Sequence, residues 1–202
     1  MADFKIKSAA GTGNKTLIQG QDQSGSNYAI EIGDAGASTL HNATITAWTP
    51  PAETIIQTVQ QVLTSPVTKA TSASYQDMGL SKSITLTSST NKVLISVDLN
   101  VGGGNDTYVH FKIQRNGTDL TVGDARDSCT RCMFMVNVDN EHGENRTYSA
   151  GTTFLDTPGA TCVEYKLWGH CAGDFYLNRC KTGSDSNRGA SISMITLQEI
   201  VV

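Results

Sequence analysis

Short runs in the C-terminal half of the sequence alternate between apolar and polar residues. From Val93 to Ile200 the alternating runs are KVLISVDLNV, YVHFKIQRNGT, MFMVNVD, CVEYKLWGH, DFYLNRC and SISMITLQEI. Clusters of Gly, Asn, Asp and Ser separate them at roughly ten-residue intervals. Apolar residues at every second position indicate strands that are buried on one face, and this spacing is typical of a β-sandwich or jelly roll. We therefore expect an all-β fold with a C-terminal jelly roll.

Composition limits the size of the core and the classes of partner. Of the 202 residues, 38% are hydrophobic and 17% are charged, which suffices for one core of about 100 to 150 residues and a smaller unit. The net charge is −4, and no cluster of Lys and Arg suggests binding to nucleic acid. No apolar run is long enough for a signal peptide or a membrane span. We expect synthesis in a cytoplasm, without membrane insertion.

The first 48 residues form a segment of weakly apolar strand candidates, FKIKSA, KTLIQ, NYAIEIG and TLHNATITA. Strands this short are marginal alone, so the segment is expected to complete itself against a partner chain. The residues predicted to make the apolar anchoring contacts are Phe4, Ile6, Leu17, Ile30 and Ile32. Consecutive prolines at 50 and 51 interrupt strand pairing. The predicted divisions are 1–48 as an anchoring segment, 49–70 as a Pro/Thr-rich linker with a first strand, and 71–202 as the jelly roll.

Two local patterns bear on how the sandwich begins and turns. Residues 53–63 contain ETIIQTVQQVL, whose apolar positions fit both a helix and one face of a strand. A helix would be short and could start a trimeric coiled coil. The β-branched residues and the Thr/Ser-rich run that follows favour a strand. Asn116-Gly117 predicts a two-residue hairpin turn between HFKIQR and TDLTV.

The five cysteines suggest either a metal site or a disulfide. Cys129 and Cys132 form a C-x-x-C pair, but zinc would require a second close pair or suitably spaced histidines. If CVEYKLWGH and DFYLNRC form an antiparallel hairpin, Cys162 and Cys180 lie opposite each other at a separation that a disulfide tolerates. We expect no metal site and no cofactor. Reduced thiols are expected in the cytoplasm, with the Cys162–Cys180 disulfide as the alternative outside the cell.

Binding is favoured over catalysis by the motifs. Neither G-x-S-x-G nor H-E-x-x-H occurs, and none of the four histidines lies in a nucleophile motif. Exposed Trp and Tyr side chains can stack on sugar rings, and aromatic residues gather around the predicted 162–180 hairpin. Tyr165, Trp168 and Tyr176 are the candidates for a glycan or receptor surface. The alternative is that these rings fill the core.

Four segments carry a resemblance to known proteins: TSASYQDMGLSKSITLTSSTNKVLISV at 71–97, FKIQRNGTDL, GTTFLDTPGATCVEYKLW and SISMITLQEI. They resemble a β-sandwich module of tailed-bacteriophage virion structural proteins, notably from marine and cyanobacterial phages, over residues 55–202. Segments that precede such modules in fibre-like phage proteins are similar to three segments near the start of this chain: KIKSAAGTGNKTLIQGQDQSG, IEIGDAGASTL and NATIT. The resemblance implies a TNF-like jelly roll in a non-enzymatic, surface-exposed virion component, commonly a trimer attached through its N-terminal part.

Together these expectations describe a short fibre or spike on the virion surface that attaches to the host. The chain is short and has no repetitive shaft, so a capsid decoration or head-fibre protein is an alternative. A free lectin-like carbohydrate-binding module is a second alternative. The expected partners are further copies in a homotrimer, other tail or capsid proteins, and a host-surface glycan. Synthesis is expected in the host cytoplasm, and the mature protein is expected on the virion surface.

Overall fold

The chain forms two units, Met1–Thr49 and Pro50–Val202. The computed structural model describes residues 16–21, 27–32, 38–41, 49–104, 107–120, 122–138, 145–182 and 189–202. In the first unit, strands β1 (Thr16–Gln21), β2 (Asn27–Ile32) and β3 (Ser38–His41) form an antiparallel sheet in the order β1-β2-β3.

The predicted anchor residues fall partly on this small sheet. Leu17 lies on β1 opposite Glu31, and Ile30 lies on β2 opposite both Ile18 and Leu40. Ile32 ends β2. The predicted contacts of Phe4 and Ile6 lie outside the described residues, so the anchoring role of the set stays a prediction.

Antiparallel strands in two sheets build the second unit. They are β4 (Ile55–Leu63), β5 (Val67–Lys69), β6 (Ser72–Thr85), β7 (Lys92–Gly103), β8 (Thr107–Arg115), β9 (Thr118–Asp119), β10 (Phe134–Val138), β11 (Thr147–Asp156), β12 (Cys162–Cys171), β13 (Phe175–Leu177) and β14 (Ser193–Ile200). Sheet I has the order β4-β14-β7-β13-β5, with β11 paired to β7, and sheet II has the order β10-β8-β12-β6, with β9 paired to β8. The chain is all-β as predicted, and the second unit is a jelly-roll-like β-sandwich.

The core forms where the inner faces of the two sheets meet. On β7 every second side chain from Val93 to Val101 is buried, and β12 buries Val163, Tyr165 and Leu167 in the same alternating way. Because successive side chains of a strand point to opposite faces, the remaining positions of β12 and β7 point away from the core. The outer face of sheet II is therefore composed of the polar and aromatic residues between the buried ones.

The segment 53–63 contains strand β4, which is the structure that its β-branched residues predict. Strand β4 pairs with β14 in an antiparallel register in which Val59 lies opposite Leu197. Val59 and Leu63 pack against the core, while Val62 remains 42% exposed. A helix would have removed this pairing partner from β14. Residues 49–70 thus contribute β4 and β5 to sheet I.

The Asn116-Gly117 turn is confirmed. Arg115 pairs with Thr118 across the turn, and Asn116 and Gly117 have φ values of 47° and 82°. Positive φ at both central residues is the requirement of a type I′ turn, which Asn-Gly satisfies at little steric cost. The turn joins β8 to the short strand β9 at the edge of sheet II.

The predicted hairpin between CVEYKLWGH and DFYLNRC is wrong. Strand β12 pairs with β6 and β8 in sheet II, whereas β13 pairs with β5 and β7 in sheet I. Residues 172–174 therefore carry the chain from one sheet to the other. Phe175, Tyr176 and Leu177 are all buried, which differs from the alternation expected of a hairpin strand with one solvent-facing side.

In the part of the chain that the structure describes, no helix is both long enough and apolar enough to span a bilayer.

Candidate binding surface

The outer face of sheet II collects aromatic side chains from four adjacent strands. Strand β12 alternates buried and half-buried positions, so that Trp168 and His170 lie on the outer side. The register places His110 of β8 opposite His170, and Met135 of β10 opposite His110. We call this surface the aromatic face, and it consists of Tyr75, Tyr108, His110, Met135, Trp168 and His170.

Ring contacts order the centre of the aromatic face. The His170 ring lies 5.5 Å from the Tyr75 ring and 5.7 Å from the His110 ring, between centroids. Lys112 Nζ lies 4.4 Å from the centroid of Tyr75, within the range of a cation–π interaction. The Tyr75 hydroxyl donates a hydrogen bond of 2.6 Å to the carbonyl oxygen of Arg131. These contacts hold the Tyr75 ring in one place.

Burial also affects the titration of the aromatic face. Desolvation, followed by the nearby Cys132 and Asp119, raises the pKa of Tyr75 to about 12. Desolvation and the neighbouring His170 imidazole lower the pKa of His110. The neutral imidazole, which offers a lone pair, is therefore the favoured form of His110 near neutral pH.

Ion pairs flank the rings on both sides. Lys112 Nζ donates to Asp119 at 2.7 Å, and Gln114 Nε2 donates to the other oxygen of Asp119 at 2.7 Å. Burial raises the pKa of Asp119, but the hydrogen bonds from Lys112 and Gln114 outweigh it and the net shift is downward. Lys166 Nζ lies 3.6 Å from Asp77. Exposed pairs contribute little to stability, but they place donors and acceptors beside the rings.

Three nitrogen atoms of the aromatic face have no hydrogen-bond partner among the described residues. They are Nδ1 of His110, Nδ1 of His170 and Nε1 of Trp168, and all three are buried. Buried polar atoms in folded proteins are usually hydrogen-bonded. Groups left without partners are therefore candidates for interaction with a ligand, an ion or water.

The three residues predicted to form a glycan surface are not brought together. Trp168 lies half-buried on the aromatic face. Tyr165 is 0% exposed, and its hydroxyl donates a hydrogen bond of 2.7 Å to the Asp156 carboxylate. Burial is the main cause that raises the pKa of Tyr165, and the Asp156 carboxylate is the second. Tyr176 is 6% exposed and its ring lies beside Arg179, on the other sheet. The prediction is corrected for both tyrosines, because each side chain points into the protein.

Other members of the aromatic face were missed because they belong to distant parts of the sequence. Tyr75 lies on β6, His110 on β8 and Met135 on β10. In YVHFKI, Val109, Phe111 and Ile113 occupy every second position, which indicates that His110 between them points outward. No local signal shows that β8 lies beside β12, so the pairing of His110 with His170 could not be read from the sequence.

The Cys162–Cys180 disulfide, which was the alternative to the expected reduced thiols, is absent from the structure. Cys162 is an exposed thiol at the start of β12, opposite Thr85, whereas Cys180 is buried. An added Cβ on Gly102 would lie 3.0 Å from Cys180 Cα, which places Cys180 beside sheet I. The expected hairpin would have brought the two cysteines together, and its absence is the physical reason for the correction.

Clusters of three or more metal-binding side chains are absent from the described residues. Cys129 is exposed and Cys132 is half-buried in the loop before β10. Desolvation raises the pKa of Cys132, which disfavours the thiolate that binds zinc. The C-x-x-C pair therefore has a weak basis as a metal site.

Comparisons with known proteins show low similarity. The chain matches no protein-family profile and no curated protein. The VP2 subviral particle of infectious bursal disease virus has a TM-score of 0.32 at 8% identity, covering 87% of this chain and 47% of that chain. The Gx strain of this virus has a TM-score of 0.32 at 9% identity, covering 88% and 52%. The chain thus spans about half the length of these viral proteins.

A carbohydrate-active enzyme is a further structural neighbour. The exo-β-1,3-galactanase of Phanerochaete chrysosporium, in a structure with β-1,3-galactotriose, has a TM-score of 0.24 at 13% identity and covers 92% of this chain and 41% of that chain. TM-scores this low do not establish a shared fold. None of these neighbours assigns an activity to the chain.

Proposed function

We propose that this chain is a non-enzymatic structural protein of a phage virion that uses the aromatic face to bind a host-surface glycan. In this proposal residues 1–48 attach the protein to the particle, and the sandwich projects outward as a short fibre or spike. The sequence resemblance supports the virion role. The observation that carries the binding role is the group of rings, flanked by ion pairs, on the outer face of sheet II.

The chemistry of the aromatic face suits a saccharide. Sugar rings present C–H groups on one face, which can pack on the rings of Trp168 and Tyr75. Their hydroxyl groups need polar partners at the edges of the ring, and Asp77, Asp119 and Gln114 lie beside the aromatic residues. A binding site of this kind needs a few well-placed polar groups within an apolar surface.

Binding rather than catalysis is proposed because the carboxylates are already engaged. Asp119 accepts hydrogen bonds from Lys112 and Gln114, and Asp77 accepts one from the backbone N–H of Gly79. The hydrogen bonds from Lys112 and Gln114 lower the pKa of Asp119. A general acid in glycoside hydrolysis needs a raised pKa instead. These carboxylates are therefore proposed to contact a bound sugar and not to catalyse its hydrolysis.

Replacing Trp168 with alanine tests the glycan-binding role. Full-length protein is applied to an array of bacterial surface polysaccharides, and its affinity for any bound glycan is measured. Trp168→Ala is expected to weaken binding by about 30-fold or more, since an aromatic hot spot often contributes about 2 kcal/mol or more. Leu155→Ala is the control, because Leu155 is 47% exposed on sheet I. Equal binding by wild type and Trp168→Ala would contradict the proposal.

Self-association is the second part of the proposal. We expect a homotrimer because the small N-terminal strands would gain partners between chains. Sedimentation equilibrium of the full chain should then give three times the chain mass of 21.5 kDa. A mass equal to that of one chain would favour the alternative roles, which are a monomeric capsid decoration protein or a free lectin-like module.

Capsid decoration, or a head fibre, is the alternative location for the protein on the particle. Immunogold labelling of purified particles separates the two locations. Labels along the head surface would support decoration or a head fibre, and labels confined to the tail would support a tail fibre.

A further inference from the structure

The outer face of sheet I differs in charge from the outer face of sheet II. On strands β4 and β14 the antiparallel register places the outward-facing side chains opposite one another. We call these six side chains the neutral face, and they are Thr58, Gln60, Val62, Met194, Thr196 and Gln198. None of the six is charged, whereas ion pairs flank the rings on sheet II. We propose that the neutral face is the surface through which copies of this chain associate.

The alternation of side chains along β14 shows which residues point away from the core. Ile195 and Leu197 are both 0% exposed, so Thr196 between them points to the outer side of sheet I. Thr196 lies opposite Gln60 on β4 and opposite Ser96 on β7. The uncharged surface therefore continues from the edge strand β4 across β14 onto β7.

Polar groups of the neutral face are already hydrogen-bonded to one another. Gln60 Nε2 donates to Thr196 Oγ1 at 2.9 Å, and Gln198 Nε2 donates to Thr58 Oγ1 at 3.4 Å. Polar groups that leave water without a partner cost free energy, and a bond within the protein offsets part of that cost. Contact with another protein surface would therefore remove these amides and hydroxyls from water at a reduced cost.

Apolar side chains at one end of the neutral face supply a favourable contribution to association. Val62 lies opposite Met194 and is 42% exposed. Covering both side chains would remove apolar surface from water, which favours association. Asp98 lies on the other side of Met194, on β7. It is exposed, and we expect it at the rim of the contact, where its carboxylate stays hydrated.

The charge of the chain favours a second copy as the partner of the neutral face. Each chain has a net charge of −4, so two copies repel each other overall. Contact between two uncharged surfaces adds no like charges at close range, and every copy carries the same uncharged surface. This inference rests on the self-association in the proposed function and names the surface that carries it.

Sedimentation equilibrium of the full-length, reduced protein over a range of concentrations tests the neutral face. Val62→Lys and Thr196→Lys should each raise the dissociation constant of the assembly by at least about 30-fold, because like charges would then meet in an interface that has none. Ser83→Lys is the matched control. It adds the same charge at an exposed position of β6 opposite Glu164, in sheet II, and should assemble as wild type does. Thermal unfolding followed by circular dichroism checks that each variant is folded.

The oligomer masses separate failure of this inference from failure of the proposed homotrimer. If wild type and both variants at the neutral face form the same trimer, the neutral face is not the interface and the trimer depends on another surface. A wild-type dimer that Val62→Lys converts to single chains would support the neutral face and contradict the homotrimer. A single-chain mass for wild type at all concentrations would overturn both.

Discussion

Phe111→Ala should destabilise the sandwich by about 3–5 kcal/mol, the usual cost of truncating a buried phenylalanine. The Phe111 side chain is fully buried on β8 of sheet II. Its ring stacks on Phe134 with centroids 5.1 Å apart and meets Phe175 edge-on at 6.3 Å. Because Phe175 belongs to sheet I, truncation removes a contact between the two sheets and leaves a cavity that rigid strands fill poorly.

Denaturant unfolding followed by circular dichroism measures this loss. Tyr108→Ala is the matched control, since Tyr108 lies on the same strand and is 51% exposed. It should change stability by no more than about 0.5 kcal/mol. If Phe111→Ala costs less than about 1.5 kcal/mol, the neighbouring rings must collapse into the space, and Phe111 is not the inter-sheet contact that the packing indicates.

Local patterns in the sequence were sufficient to predict strands and one turn. The alternation from Val93 to Val101 predicts a strand with one buried face, because the side-chain period of a strand is two. Asn116 and Gly117 predict a turn because few other residues adopt two successive positive φ values. Both features depend on residues within one short segment, which is why the sequence alone contains enough information.

Pairing between distant strands could not be predicted in the same way. The period of two shows which face of β12 is buried, but it does not identify the neighbouring strands. The sequence from Cys162 to Cys180 resembles a hairpin because two apolar runs follow each other closely. Residues 172–174 instead cross between the sheets, and β13 then pairs with β5 and β7 in sheet I. The alternative Cys162–Cys180 disulfide depended on that hairpin and is excluded with it.

The candidate site illustrates the same limit. The alternation of side chains along β12 can be read from the sequence. Val163 and Leu167 are apolar and mark the buried face, so Tyr165, which lies between them at the same spacing, points inward and Trp168 points outward. This alternation is enough to remove Tyr165 from the predicted glycan surface. It would not have placed Tyr75 or His110 beside His170, because those neighbours come from β6 and β8. Assembly of the aromatic face requires the order of the sheet.

Loss of the buried carboxylate of Glu199 is the second change expected to have a large effect. Glu199 lies on β14 and is 0% exposed. Its Oε1 accepts hydrogen bonds from the backbone N–H of Thr87 at 2.6 Å, from the Thr87 hydroxyl at 2.8 Å and from Asn91 Nδ2 at 2.7 Å. The carboxylate thus ties the loop between β6 and β7 to sheet I.

Glu199→Ala should lower the free energy of unfolding by at least about 2 kcal/mol. It leaves one N–H of the buried Asn91 amide without its acceptor, which costs about 1–3 kcal/mol, and it also removes two part-buried hydrogen bonds from Thr87. Gln198→Ala, on the same strand but facing outward, should stay within about 0.5 kcal/mol of wild type. Hydrogen exchange should also show reduced protection of the Thr87 amide in Glu199→Ala. Wild-type stability in Glu199→Ala would mean that burying the carboxylate costs as much as its three hydrogen bonds return.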